Sequence, residues 1–334
     1  MHYLIYIILI LAIAAIWQLV RVVELSAKLK GIDPNKVTEE DNRMNGRFMM
    51  TFYFLLMGFF CWQMYNFGPR MLPAAASAHG VEIDWLLNFN WWIINTVFVV
   101  TNFLLFFMAW KYYGRKGQRA TYYPHNNRLE MLWTGVPAVV LFIIIFFGIK
   151  LWNNTMGMAP KNTRIIELYA QQFNWTARYS GTDNTLGKAN YRLIDDNNGL
   201  GLDTTDRAGH DDVIVTDTLF LPVNQEVDFR MRSRDVLHSA YFPHFRAQMN
   251  CVPGMETYFH FKPIYTTKEM RERTSNPKFD FILLCNKICG ASHFNMQLKI
   301  VVGTNAEYME WMKRHKPFYD GMAAAPAPKV AEKQ

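Results

Sequence analysis

Cys285, Cys289, His293 and Met296 lie within twelve residues of one another, in the run Phe281-Ile-Leu-Leu-Cys-Asn-Lys-Ile-Cys-Gly-Ala-Ser-His-Phe-Asn-Met-Gln-Leu. Two thiols, an imidazole and a thioether spaced C-x3-C-x3-H-x2-M make a soft donor set, which suits copper. Zinc would use the cysteines and the histidine but has little need of the methionine. A packed core is the other alternative, because these positions share one helical face. Gly290 and Ser292 are poor helix residues, however, and strand-like runs flank the segment closely. In an oxidising compartment two such thiols would tend to pair, and a metal that holds them as thiolates prevents it. Two sulfurs can each bridge two copper ions. One electron is then shared over both, each bond is disturbed less on redox change, and the site moves electrons rather than binding substrate.

Two ions need more donors than this loop supplies. The other histidines nearby are His210, His238, His244, His260 and His315. His238 sits in Arg234-Asp-Val-Leu-His-Ser at the end of a strand candidate, and His244 is only six residues further on, so spacing alone leaves both open.

The elements that must position these residues are short. Arg164–Tyr179, Thr218–Met231, Val236–Phe242, Glu256–Phe261, Phe279–Leu284 and Met296–Val302 are rich in β-branched and aromatic residues. Turn signals at Pro222-Val-Asn, Pro253-Gly and Asn276-Pro lie between them. That pattern predicts a β-sandwich or a small Greek-key barrel. Ala306–His315 reads as a closing amphipathic helix. The tail 319–334 is rich in Ala, Pro and Lys and is expected to be disordered.

The first half of the chain has a different character. Tyr3–Val20, Phe48–Pro69, Trp85–Trp110 and Met131–Ile149 contain no Asp, Glu, Lys or Arg. A bilayer core needs about 20 apolar residues in a helix, so each run can span. The expected division is a transmembrane domain over 1–152, with spans at about 3–20, 48–69, 88–110 and 131–151, and an outer domain over 153–318. The first run lacks a basic start and is followed by Arg21, which favours an uncleaved span over a signal peptide. Lys and Arg crowd the loops between the first and second runs and between the third and fourth. Arg70 stands alone between the second and third. The positive-inside rule then places both termini and the outer domain on the far side of the membrane, a periplasm in a double-membraned bacterium.

Composition agrees with this division. The 334 residues are 51% apolar and 19% charged, which excludes a disordered chain. The net charge of +7 comes mainly from the two basic loops, so it does not indicate nucleic acid. Four cysteines are too few for a disulfide scaffold. Residues 180–217 carry eight Asp and no Glu against Lys188, Arg192 and Arg207. This stretch reads as a solvated loop, with a docking surface for a basic partner as the other reading. The run from Asp195 does not place Gly where an EF-hand needs it.

Over roughly 85–315 the chain resembles subunit II of the haem–copper terminal oxidases, the cytochrome c oxidase family. Arg128-Leu-Glu-Met-Leu-Trp-Thr-Gly-Val-Pro resembles the start of that family's last membrane helix. Asp235-Val-Leu-His-Ser resembles its first copper-ligand motif, Val252-Pro-Gly-Met follows at the family's distance, and Cys285 to Met296 matches its copper loop. The resemblance implies a cupredoxin-like Greek-key barrel beside membrane helices and a binuclear CuA centre. His238, Cys285, Cys289, His293 and Met296 would be its side-chain ligands, with the backbone carbonyl of Lys287. It further implies that Glu130 marks the entrance of a proton path. Electrons would come from a c-type cytochrome and pass to haem a of subunit I, whose haem a3 and CuB reduce dioxygen while protons are pumped. Other oxidase subunits, a lipid membrane and an aa3-type complex belong to the same expectation.

Three departures accompany the match. The family's Cys-x-Glu-x-Cys has Lys287 in the middle here. A carbonyl ligand survives that change, but the carboxylate that helps hold magnesium at the subunit I interface does not, so that magnesium site is expected to be absent or rebuilt. The aromatic Gln-Trp-x-Trp motif for electron uptake reads Gln172-Phe-Asn-Trp175, with Phe173 in place of the first Trp. Two additional apolar runs precede the usual pair. No C-x-x-C-H run exists, so a cytochrome must be a separate chain. The rival readings are a CuA subunit of a nitric-oxide reductase, a copper-delivery protein, and a purely structural subunit.

Overall fold

The computed structural model describes residues 2–31 and 36–319. The tail expected to be disordered lies, apart from Tyr319, outside the described residues. Four helices, α1 (His2–Leu29), α2 (Glu39–Phe67), α3 (Ala78–Lys111) and α4 (Asn127–Met156), are each long and apolar enough to cross a membrane. They run past the charge-free segments because helix ends in the polar zone are capped by charged residues. At α2 the Thr38 side chain accepts the Asp41 N–H, the Asp41 carboxylate accepts the Thr38 N–H, and Glu39 and Glu40 complete an acidic first turn.

The chain divides into two compact units. One comprises residues up to Pro69 with Ile93–Asn127; the other comprises Arg70–Trp92 with everything from Arg128 onward. Within the first, α2 meets the later part of α3 through aromatic pairs, Phe60 on Phe98 (5.0 Å between ring centres) and Tyr53 on Phe103 (5.8 Å). Gly46 lies beside the Trp110 main chain there, where a Cβ would make ordinary contact at 3.4 Å.

Among the described residues the second unit carries ten strands: β1 (Arg164–Gln171), β2 (Asn174–Tyr179), β3 (Val213–Val215), β4 (Thr218–Pro222), β5 (Val227–Ser233), β6 (His238–Phe242), β7 (Ala247–Cys251), β8 (Thr257–Phe261), β9 (Phe281–Cys285) and β10 (Gln297–Gly303). They form two five-stranded sheets, ordered β3-β2-β1-β5-β8 and β4-β10-β9-β6-β7. The expectation of a closed Greek-key barrel needs correction. No ladder joins named strands of one sheet to those of the other among the described residues, and the isolated bridge Ser233–Pro253 makes only a corner. The domain is a curled open sandwich, consistent with a cupredoxin-like fold. Its core is aromatic, with Trp175, Phe229, Phe242, Phe245, Phe261 and Phe281 fully buried between the sheets.

Helices α5 (Thr267–Arg273) and α6 (Asn305–Arg314) complete the unit. The latter matches the closing helix expected from the sequence. The former was not anticipated, although the Thr266/Glu269 capping box that starts it is legible in the residues.

The start of α3 is stitched to the outer sheets. Ala76 N–H donates to His244 O (2.7 Å), Ile264 N–H to Ala76 O (2.9 Å), and the Arg246 guanidinium grips both Asp84 oxygens at 2.8 and 3.0 Å. A bidentate, half-buried pair of this kind holds orientation as well as position.

The acidic stretch 180–217 is not simply solvated. In β1, Ile166, Leu168 and Ala170 face the core, while Glu167 and Tyr169 point outward and are nevertheless buried. Leu200, Leu202 and Phe318 cover Tyr169. Glu167 pairs with Arg178 (2.6 Å) and with Arg232, and Arg178 reaches Asp212 of the insertion (2.9 Å). Most of the other aspartates cap local turns, as Asp195 does for the Asn197 and Asn198 N–H groups.

Burial pushes the Asp212 carboxyl up to about 6 against the pull of Arg178, and its Oδ1 has no hydrogen-bond partner among the described residues. The folded chain therefore holds this proton at a pH where an unfolded chain has released it. The stability it contributes is present below about pH 4 and is lost as pH rises through about 6. Relative to Asp212→Asn, opening of the insertion should become easier over that window by at most about 3 kcal/mol. Hydrogen exchange of the amides in 187–212 measures this, and a wild-type-minus-variant difference that is flat with pH would exclude it.

Candidate metal centre

β6 and β9 are antiparallel neighbours with Ala240 opposite Cys285. His238, the first residue of β6, and Cys285, the last of β9, therefore emerge at the same end of one sheet. Beyond Cys285 the chain loops and returns as β10. Cys285 N–H donates to Met296 O (3.0 Å), which closes the loop at its base, and Asn286 N–H donates to Ser239 O (3.0 Å), which ties it to β6. A single helical turn at His293–Asn295 folds the loop inward, so that His293 and Met296 approach Cys289.

The donor atoms converge. Cys285 Sγ and Cys289 Sγ are 3.8 Å apart. His238 Nδ1 lies 3.9 Å from the first sulfur and His293 Nδ1 3.5 Å from the second. Met296 Sδ stands 3.9 Å from Cys289 Sγ, and the Lys287 carbonyl oxygen 3.3 Å from Cys285 Sγ. A disulfide needs about 2.05 Å, so the sulfurs are not joined. Metal–sulfur bonds near 2.3 Å let one ion touch both. His238, Cys285 and Cys289 form the one group of three or more such ligands among the described residues. His238, Cys285, Cys289 and Met296 are all buried.

The surroundings orient these donors. His238 Nε2 is 2.8 Å from Asp235 Oδ1, so the proton sits on Nε2 and the Nδ1 lone pair faces the sulfurs. Burial opposes ionisation of Asp235, but the Gln172 N–H and then His238 hold its carboxyl below the usual range. Burial, and then the neighbouring Cys285 sulfur, push the Cys289 thiol up to about 11. Without metal that thiol is protonated at neutral pH, and binding must displace its proton.

The remaining histidines are engaged elsewhere. The His244 ring lies edge-on to Phe279 (5.0 Å) and Phe281 (5.5 Å). His260 pairs with Glu226 (2.7 Å), His210 stacks on Tyr319, and His315 contacts the Trp311 carbonyl. Spacing left His238 and His244 open; the structure places His238 at the sulfurs. It also separates the two aromatic residues read together for electron uptake. Trp175 is fully buried with its ring tilted 63° to that of His238 (6.3 Å between centres), whereas Phe173 is only partly buried and lies against Gly290 of the loop. Glu130 stands in the first turn of α4, about 39 Å along the helix from Met156. Asp235 and Gln172 were not anticipated as site residues. The i, i+3 spacing of Asp235 and His238 was the available signal for the first.

The profile for the transmembrane domain of cytochrome c oxidase subunit II matches residues 48–151, and that for its periplasmic domain matches 165–304. The chain belongs to the cytochrome c oxidase subunit II family. The alternative cytochrome c oxidase subunit 2 of Bradyrhizobium diazoefficiens is 32% identical over 71% of this chain and 81% of its own. Cytochrome c oxidase subunit 2 of Synechocystis is 24% identical over 80% and 82% respectively. Among solved structures, the periplasmic domain of subunit II of cytochrome oxidase from Bradyrhizobium japonicum covers 47% of this chain and 96% of its own at 22% identity, with a TM-score of 0.32. As a subunit II this is an integral membrane protein with a periplasmic domain, and a component of a redox complex. Its Cys/Cys/His cluster is a plausible metal site in the cupredoxin-like part.

Proposed function

We propose that this chain is the CuA-bearing, electron-accepting subunit of an aa3-type terminal oxidase. The observation that carries the reading is the pair of sulfurs 3.8 Å apart with an imidazole Nδ1 beside each. His238, Cys285, Cys289, His293, Met296 and the Lys287 carbonyl would hold the metal. Bound there, a copper pair would supply one-electron transfer.

The chain's own residues do the rest. Buried Met296 and His238 keep water from the sulfurs, Asp235 fixes the His238 tautomer, and half-buried Phe173 presents an apolar contact to the donor. The functional division is a membrane domain over 1–152 and an outer domain over 153–318. The donor in this reading is a c-type cytochrome on a separate chain, because the four cysteines include no C-x-x-C-H. Electrons pass on to haem a of subunit I, with dioxygen reduced at haem a3 and CuB, and Glu130 marks a proton path. Lys287 places an ammonium where the family's magnesium-holding carboxylate stands, so no magnesium is held through that side chain.

EPR of the complex purified from membranes tests the assignment. The expected hyperfine pattern comes from one unpaired electron shared equally by two coppers. A four-line pattern from a single copper would defeat the proposal.

A further inference from the structure

The turn that joins β1 to β2 belongs to one sheet, and the metal ligands belong to the other. Two side chains tie them together. Asp235 Oδ1 accepts from His238 Nε2 (2.8 Å) and from its neighbour's Val236 N–H (2.7 Å), while Oδ2 accepts the main-chain N–H of Gln172 (2.7 Å). The Gln172 side chain reaches the other way, and its Nε2 donates to the Cys289 carbonyl (2.5 Å). The result is a closed circuit from His238 through Asp235 and Gln172 to Cys289, and back through the two sulfurs.

Gly290 completes the arrangement. Its φ is +141°, and a Cβ there would stand 2.8 Å from both Gln172 Nε2 and Phe173 Cζ. Only a glycine lets the amide and the ring lie directly on the metal loop. Arg234 holds the same corner, donating from its N–H to Ala170 O (2.9 Å) and from Nη1 to Gln171 Oε1 (3.0 Å).

We propose that Gln172 is a positioning residue for electron uptake. Through its two hydrogen bonds it locks the ligand-bearing loop to the Asp235–His238 pair and seats Phe173 on that loop. The surface that meets the donor and the atoms that hold the metal then move as one body. Ligands fixed from both sheets keep their geometry when the charge of the centre changes, which is what fast transfer at small driving force requires. Gln172 itself is exposed and touches no ligand sulfur or imidazole, so its effect is exerted through Asp235 and the Cys289 main chain. This inference rests on the copper reading above and extends it to a residue outside the ligand set.

The test uses the purified complex carrying Gln172→Met. Methionine keeps the main-chain N–H for Asp235 and the approximate length of the side chain, but removes the bond to Cys289. Copper content should stay at the wild-type level. Electron uptake from reduced c-type cytochrome, read in a single turnover, should slow about tenfold, the scale on which second-layer partners act. The hyperfine pattern should become unequal between the two coppers, a signature that a merely structural role for an exposed glutamine would not move. Gly290→Ala, which pushes the same amide and ring away from the opposite side, should shift both readouts in the same direction. Gln172→Met with rate within twofold of wild type and an unchanged hyperfine pattern overturns this inference alone. A wild-type complex without the shared two-copper pattern overturns the copper reading and this inference with it.

Discussion

Cys285→Ser, in a complex that still assembles, should lose the shared two-copper signal and reduce electron uptake from cytochrome by more than about a hundredfold. The expectation follows from chemistry at one atom. Cys285 Sγ has three neighbours, two from its own loop and one from β6: the Cys289 sulfur at 3.8 Å, the Lys287 carbonyl at 3.3 Å and His238 Nδ1 at 3.9 Å. It is the point where β6, β9 and the loop meet. Serine keeps the shape but offers a hard hydroxyl that does not ionise near neutral pH, so the soft donor is gone. Changes in the residues that orient a metal's donors cost about 10–100-fold in metal affinity, and loss of a donor atom itself must cost more. Copper content per complex and single-turnover kinetics measure the effect. A variant that assembles, takes up electrons at the normal rate and retains its spectrum would return the chain to a purely structural role.

The second large effect is a contrast between two histidines six residues apart. His238→Ala should abolish the centre, because its Nδ1 faces the sulfurs and its Nε2 is already committed to Asp235. His244→Ala should leave copper content and EPR unchanged. That ring packs against Phe279 and Phe281, and burial first, then Arg246, lowers its pKa, so it sits neutral in an aromatic pocket. Its removal leaves a void worth about 1–3 kcal/mol of stability. Thermal unfolding and metal analysis of the two variants separate the roles. Loss of copper from the His244 variant with retention in the His238 variant would reverse the assignment.

The strand candidates illustrate where local pattern suffices. Arg164–Tyr179 resolves into the β1–β2 hairpin, and Thr218–Met231 holds β4 and most of β5, because β-branched and aromatic runs broken by Asn or Pro turns have few other ways to bury their side chains. Short elements escaped. β7, Ala-Gln-Met-Asn-Cys, has no such bias and is a strand because β6 pairs with it along its whole length. β3 exists because it extends the β2 edge. The stretch 180–217 looked solvated because its composition is polar. Its fold depends on Arg178 and Glu167, which belong to strands well before Asp212 in the chain.

Residue types and spacing alone determined the four membrane helices and the soft donor set of Cys285, Cys289, His293 and Met296. Both follow from local physics: a long uncharged helix has no stable place in water, and donors within twelve residues need only a loop to meet. The tertiary structure decided which distant histidine joins them, that the sandwich stays open, that Trp175 is core while Phe173 lies on the metal loop, and that Gln172 and Asp235 bind the two sheets at the site. Those are contacts between residues dozens of positions apart, and which atoms meet is set by strand register and sheet order, which no short stretch of sequence specifies.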